Sequence, residues 1–72
     1  MEYVEVRFSI IRQVNIDGSP GGETNKILRV GAGTHLFDLG SPKDYQPTEI
    51  TQVIENTNAL DPAIIEFQEV PV

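Results

Sequence analysis

A chain of 72 residues with no cysteine has room for one modest hydrophobic core and neither a disulfide nor a thiolate metal site to reinforce it. The formal charge is −6, and the basic residues Arg7, Arg12, Lys26, Arg29 and Lys43 are scattered singly, which excludes the cation-rich surface that nucleic acids and anionic membranes require. No apolar run approaches the roughly 20 residues that span a bilayer, so a single soluble domain over residues 1–72 without membrane insertion is expected.

From Tyr3 the residues alternate, with Val4, Val6, Phe8 and Ile10 on one face and Tyr3, Glu5, Arg7 and Ser9 on the other. This is the period of a half-buried strand. The pattern resumes at Val14 and Ile16, but an unbroken strand from Tyr3 to Ile16 is about 46 Å long, against a radius of gyration of about 11 Å for a globule of this length. The strand therefore has to bend between Ile11 and Gln13, and Arg12, a charge in the apolar phase, marks the place.

Asp17-Gly18-Ser19-Pro20-Gly21-Gly22 predicts a hairpin loop, because each residue either tolerates positive φ or presets a turn. Its partner strand is expected from Asn25 to Val30, with Leu28 and Val30 on one face and Ile27 and Arg29 on the other. Gly31-Ala32-Gly33 predicts a tight reversal into a strand from Thr34 to Leu39, where His35, Phe37 and Leu39 share a face and Thr34 and Asp38 take the other. Three strands so joined form a meander.

From Thr48 to Glu55 the spacing of Ile50, Val53 and Ile54 fits one face of a helix, with Thr48 as N-cap. Thr48, Ile50, Thr51, Val53 and Ile54 are all β-branched, however, and a helix this short gains little from propensity, so a strand is favoured. Glu55-Asn56-Thr57-Asn58 reads as a turn. Ala63 to Val70 then alternates Ile65 and Phe67 against Ile64 and Glu66, a closing strand introduced by Pro62. The expected fold is all-β: a small sandwich of roughly five or six mainly antiparallel strands, transthyretin-like or Ig-like, or an open barrel. A short helix over residues 48–56, giving an α+β fold, is the alternative.

No residue pattern amounts to a reaction centre. His35 is the only histidine, and a metal site built on it would need carboxylates around one imidazole, so a partly buried strand histidine with one nitrogen hydrogen-bonded is the preferred reading. A calcium loop in register with Gly18 would use Gln13, Asn15 and Asp17 and close on Thr24 in place of a glutamate, so Asp17 reads as an Asx-type turn residue. Gly31-Ala32-Gly33 lacks the GxGxxG pattern and the lysine of a phosphate cradle. Ser9, Ser19 and Ser41 lie outside any nucleophile-elbow sequence, and scattered Asp and Glu define no acid–base pair. No catalytic, cofactor-binding or metal-ligating residue is assigned, and the chain is not read as an enzyme. Tyr3, Ile11 and Ile27 fall in the outward phase of their strands, and the default is that such scattered residues carry no function or cover a second sheet; only if gathered into one patch beside an open edge do they mark a protein interface formed by strand addition.

Four elements in the middle of the chain follow a known order. Ile16-Asp17-Gly18, Gly22-Glu23-Thr24, Gly33-Thr34-His35-Leu36-Phe37-Asp38-Leu39 and Tyr45-Gln46-Pro47 together resemble the PEGA domain family over roughly residues 14–47. Asn25 stands where that family has a proline after the threonine, Asp44 where it has a glycine, and Ile10-Ile11-Arg12-Gln13 replaces the turn between its first two strands.

The resemblance implies a small β-sandwich module without catalytic function, of the kind found as accessory parts of bacterial and archaeal envelope and surface proteins. The expected function is protein–protein contact or structural spacing, with a protein partner or self-association, because a core of this size contributes only about 3 to 5 kcal/mol on its own. A carbohydrate- or other ligand-binding module, with Tyr3, Tyr45 or a phenylalanine stacked on a sugar ring, and a small intracellular regulatory subunit are the alternatives. An excised domain is expected outside the cytoplasm, and a chain whose native start is Met1 inside it.

Overall fold

The computed structural model describes residues 1–70, and among them are nine strands and no helix. Residues Glu2–Arg7 (β1), Ile27–Val30 (β4) and Ala63–Glu66 (β8) form a three-stranded sheet in the order β4-β1-β8. A four-stranded sheet in the order β3-β2-β5-β7 contains Gln13–Ile16 (β2), Ser19–Glu23 (β3), Gly33–Asp38 (β5) and Ile50–Ile54 (β7). Tyr45–Gln46 (β6) and Gln68–Glu69 (β9) make a two-stranded ribbon.

One core is shared by all three sheets, as in a sandwich. Val4, Val6, Leu28, Val30 and Ile65 come from the first, Val14, Phe37 and Ile54 from the second, and Tyr45 and Phe67 from the ribbon or next to it. The expected alternation holds at Val4, Val6, Phe8, Leu28, Val30, Phe37, Leu39, Ile65 and Phe67, all of which are buried. The strand expected at Thr48 to Glu55 is β7, paired antiparallel with β5 from Gly33↔Ile54 to Phe37↔Ile50; no helix stands there.

The pairing differs from a meander. Asp17 and Gly18 alone make the hairpin turn, with φ of 54° and 83°, the two positive values that match the twist of a two-residue hairpin. Residues 19–22, read as the rest of the loop, belong with Glu23 to the partner strand β3, joined to β2 with a register shift between Val14 and Asn15. Pro20 is tolerated because β3 is an edge strand. Gly22 suits its place by its backbone, at φ 137°, a conformation that L side chains rarely adopt; a Cβ there would also displace the end of the Leu28 side chain.

Strand β4, expected beside β2, lies instead in the other sheet and pairs antiparallel with β1, from Glu2↔Val30 to Glu5↔Ile27. Gly31-Ala32-Gly33 is therefore a crossover between the two sheets and not a hairpin reversal. The closing strand is split at Phe67. Its first half, β8, runs parallel to β1, and its second half, β9, pairs antiparallel with β6.

The break expected at Arg12 is present. The first strand stops at Arg7, residues 8–12 cross to the second sheet, and Ile10, expected in the core, is 56% exposed on that crossing. The longest dimension of the molecule is 37 Å, shorter than the unbroken strand would be.

Leaving a sheet strips backbone groups of their ladder partners, and each must be satisfied elsewhere. Thr24, fully buried, donates its hydroxyl to the Ile10 carbonyl and accepts from the Arg12 N–H, both at 2.8 Å. Asn25, at φ 63°, uses its side-chain amide as a strand would use a peptide: Oδ1 accepts from the Phe8 N–H and Nδ2 donates to the Phe8 carbonyl. A proline at this position could do neither, and its ring would forbid the positive φ.

Candidate interaction surface

On a strand, alternate residues share a face, so Tyr3, Glu5 and Arg7 line the outer side of β1. Register places Ile27 of β4 opposite Glu5 on one flank and Ile64 of β8 opposite it on the other. The two isoleucines are 47% and 44% exposed. Arg29 lies opposite Tyr3, and Glu66 opposite Arg7, so the two isoleucines, already separated by Glu5, are bracketed by further charge. Arg7 also reaches Glu5 at 3.5 Å. Strands β4 and β8 each pair with β1 alone and form the two edges of the sheet.

The structure thus brings together Tyr3 and Ile27 of the three outward residues. Ile11 does not join them, since it stands beside Ile10 on the crossing between sheets. Ile64 completes the face and was not singled out from the sequence. Its signal was present in the outward phase it takes beside buried Ile65, but nothing in the order of strands shows that β8 returns to lie parallel to β1.

His35 lies on β5 with its side chain 16% exposed. Both ring nitrogens are engaged, where one was expected: Nδ1 lies 2.6 Å from Asp17 Oδ2 and Nε2 lies 2.6 Å from the Gly31 carbonyl oxygen. The other carboxylate oxygen of Asp17 accepts from the Leu36 N–H at 2.9 Å. Asp17 is thus a turn residue that also ties its hairpin to β5.

The remaining calcium positions do not converge. Gln13 donates to Asn15, Asn15 donates to Asp38, and Thr24 is spent in the core. Among the described residues no three His, Asp or Glu side chains gather as a metal site would need.

Arg12 does more than mark a bend. Its guanidinium, with the side chain 10% exposed, sits 5.1 Å from the centre of the Tyr45 ring and 5.6 Å from that of Phe8. It donates to the carbonyls of Leu39 and Pro42 at 3.2 and 2.8 Å and pairs with the Asp44 carboxylate. Tyr45 pins the same loop from inside, accepting from the Leu39 N–H and donating to the Gly40 carbonyl at 3.0 Å. A depression of about 390 Å³, lined by Gln46, Pro47, Glu66 and Gln68, opens beside the ribbon. It offers amides and one carboxylate but no aromatic wall.

No protein-family model, curated protein or solved structure matches this chain. Among the described residues, no helix is long and apolar enough to cross a membrane.

Proposed function

We propose that this chain is a non-catalytic, PEGA-like β-sandwich module that makes a protein–protein contact or spaces its neighbours, using the outer face of the three-stranded sheet and the edge of β8. The observation that carries this reading is the pair Ile27 and Ile64, held at fixed register on either side of Glu5 beside an edge strand. Covering both half-exposed side chains stabilises a complex by about 2 kcal/mol. That is too little alone, and strand addition along the edge supplies further backbone hydrogen bonds. The PEGA resemblance supports an accessory role of the same kind.

The carbohydrate alternative draws no comparable support. Tyr45, Phe8, Phe37 and Phe67 all lie in the core, leaving Tyr3, itself partly buried, as the one aromatic ring towards the surface.

Light scattering over a concentration series, together with affinity capture, tests the proposal on the wild-type chain and an I27K/I64K double variant. The expected result is self-association or capture of a partner by the wild type that the variant loses. A strictly monomeric wild type that captures nothing, or a variant that behaves identically, overturns it.

A further inference from the structure

The four-stranded sheet has one narrow seam. Strands β5 and β7 pair over five residues, from Gly33↔Ile54 to Phe37↔Ile50, whereas β2 and β5 pair only at Asn15↔Asp38 and Ile16↔Phe37. Further hydrogen bonds reinforce this seam at both ends. At one end the Asn15 amide donates to the Asp38 carboxylate at 2.9 Å. At the other, Asp17 donates its N–H to the Leu36 carbonyl at 2.8 Å, accepts the Leu36 N–H with Oδ1, and meets His35 with Oδ2.

Both partners of the His35 ring are acceptors. A carboxylate oxygen faces Nδ1 and a backbone carbonyl faces Nε2, each at 2.6 Å. A neutral imidazole carries one N–H, so it can satisfy only one of them and must turn a lone pair towards the other; the imidazolium donates to both. We propose that His35 is a proton-operated clamp on the β2–β5 seam: charged, it ties the β2–β3 hairpin turn to the crossover at Gly31, and neutral, it must release one of the two.

The surroundings make Asp17 the controlling charge. The cross-strand neighbour of His35 on β7 is Gln52, which does not titrate, and the ring on its own strand is that of Phe37, edge-on at 6.3 Å. The crossover contributes only the Gly31 carbonyl. The Asp17 carboxylate first, and then that carbonyl, hold the imidazole above its ordinary range, with partial burial opposing them. Because the folded state keeps the proton more tightly than the unfolded one, the clamp is fully present below the unfolded histidine pKa of about 6.5 and is lost as pH rises through the folded value.

Two measurements test the clamp. The first is an NMR titration of the His35 ring in the wild type and in D17N, a substitution that keeps a residue tolerant of positive φ in the turn. The expected midpoint lies above about 6.5 in the wild type and shifts down in D17N, whose amide can donate to a neutral ring. The second is denaturant unfolding of the wild type and H35Q at a series of pH values above 6. The wild type is expected to lose stability relative to H35Q as pH rises, since glutamine does not titrate and every other group is common to both chains. A wild-type midpoint at or below the ordinary value, or parallel stability curves for the two chains, overturns the proposal.

Discussion

The two ends of the sandwich solve one problem with different chemistry. Where the chain leaves the sheets at residues 8–12, 24–25 and 39–45, backbone groups are taken up by a threonine hydroxyl, an asparagine amide, a tyrosine hydroxyl, a guanidinium and, at Gly40, the Asp38 carboxylate. At the opposite end, around residues 2, 17, 31 and 57, the corresponding partners are two carboxylates and an imidazole. Glu2 accepts from the Thr57 N–H and hydroxyl at 2.8 and 2.7 Å, and Asp17 and His35 bind each other and the neighbouring backbone. The first end is stitched mainly by groups that keep the same number of protons across ordinary pH, while at the second His35 changes its count there and Glu2 and Asp17, held below the ordinary carboxyl range, change theirs only in acid. The contrast teaches that the second end is where pH acts on this fold.

The largest effect is expected at the first end. Arg12→Ala removes donors from the Leu39 and Pro42 carbonyls and the partner of Asp44, and is expected to cost about 3 kcal/mol in urea unfolding with an unchanged slope. A loss below 1 kcal/mol would show that the loop over residues 39–44 holds without it. Thr24→Val keeps the shape but leaves the Arg12 N–H and Ile10 carbonyl without partners, for an expected cost of about 2 kcal/mol. Tyr45→Phe keeps both edge-to-face ring contacts, with Phe8 and Phe67, and loses only the hydroxyl, so about 1 kcal/mol is expected. None of the three losses should vary with pH between 6 and 9.

The second end sharpens the contrast through acid. Hydrogen bonds from Thr57 hold the Glu2 carboxyl below its ordinary range, and the Leu36 N–H followed by His35 does the same for Asp17. A carboxyl depressed in the folded state contributes stability that is present above its unfolded pKa, near 4, and is lost as pH falls through the folded value. Glu2→Gln is therefore expected to flatten the acid limb of the stability curve by lowering stability at neutral pH, with the two chains converging in acid. An unchanged acid limb would show that Glu2 and Thr57 contribute nothing to that end.

Much of this was legible from residues alone. Alternation at Val4, Val6 and Phe8 and again at Ile65 and Phe67 gave the core phase, because a side-chain period of two follows directly from the pleat. Arg12 gave the break. Pairing was harder to see, since alternation says which face a residue takes and nothing about which strand lies beside it. Ser19-Pro20-Gly21-Gly22 carries no strand signal at all, yet it pairs as an edge, where little packing is asked of it and where Gly21 lies against Ile16 and Gly22 against Leu28. The proposed interaction face was half legible: Ile27 was visible by phase, while Ile64 joined it only through a parallel return that no local pattern encodes. The clamp was the least legible element, because Asp17, Gly31 and His35 meet only when β2 and β5 pair and β4 crosses to the other sheet.

Residue-resolved hydrogen exchange across pH, corrected for intrinsic rates, compares the two ends most directly. The N–H groups of Asp17 and Leu36 report on the end that titrates; those of Phe8, Arg12, Thr24 and Asn25 report on the end that does not. As pH rises through the His35 titration, protection of the first pair is expected to fall further than that of the other four. An equal fall at all six, or no change at Asp17 and Leu36, would contradict the account.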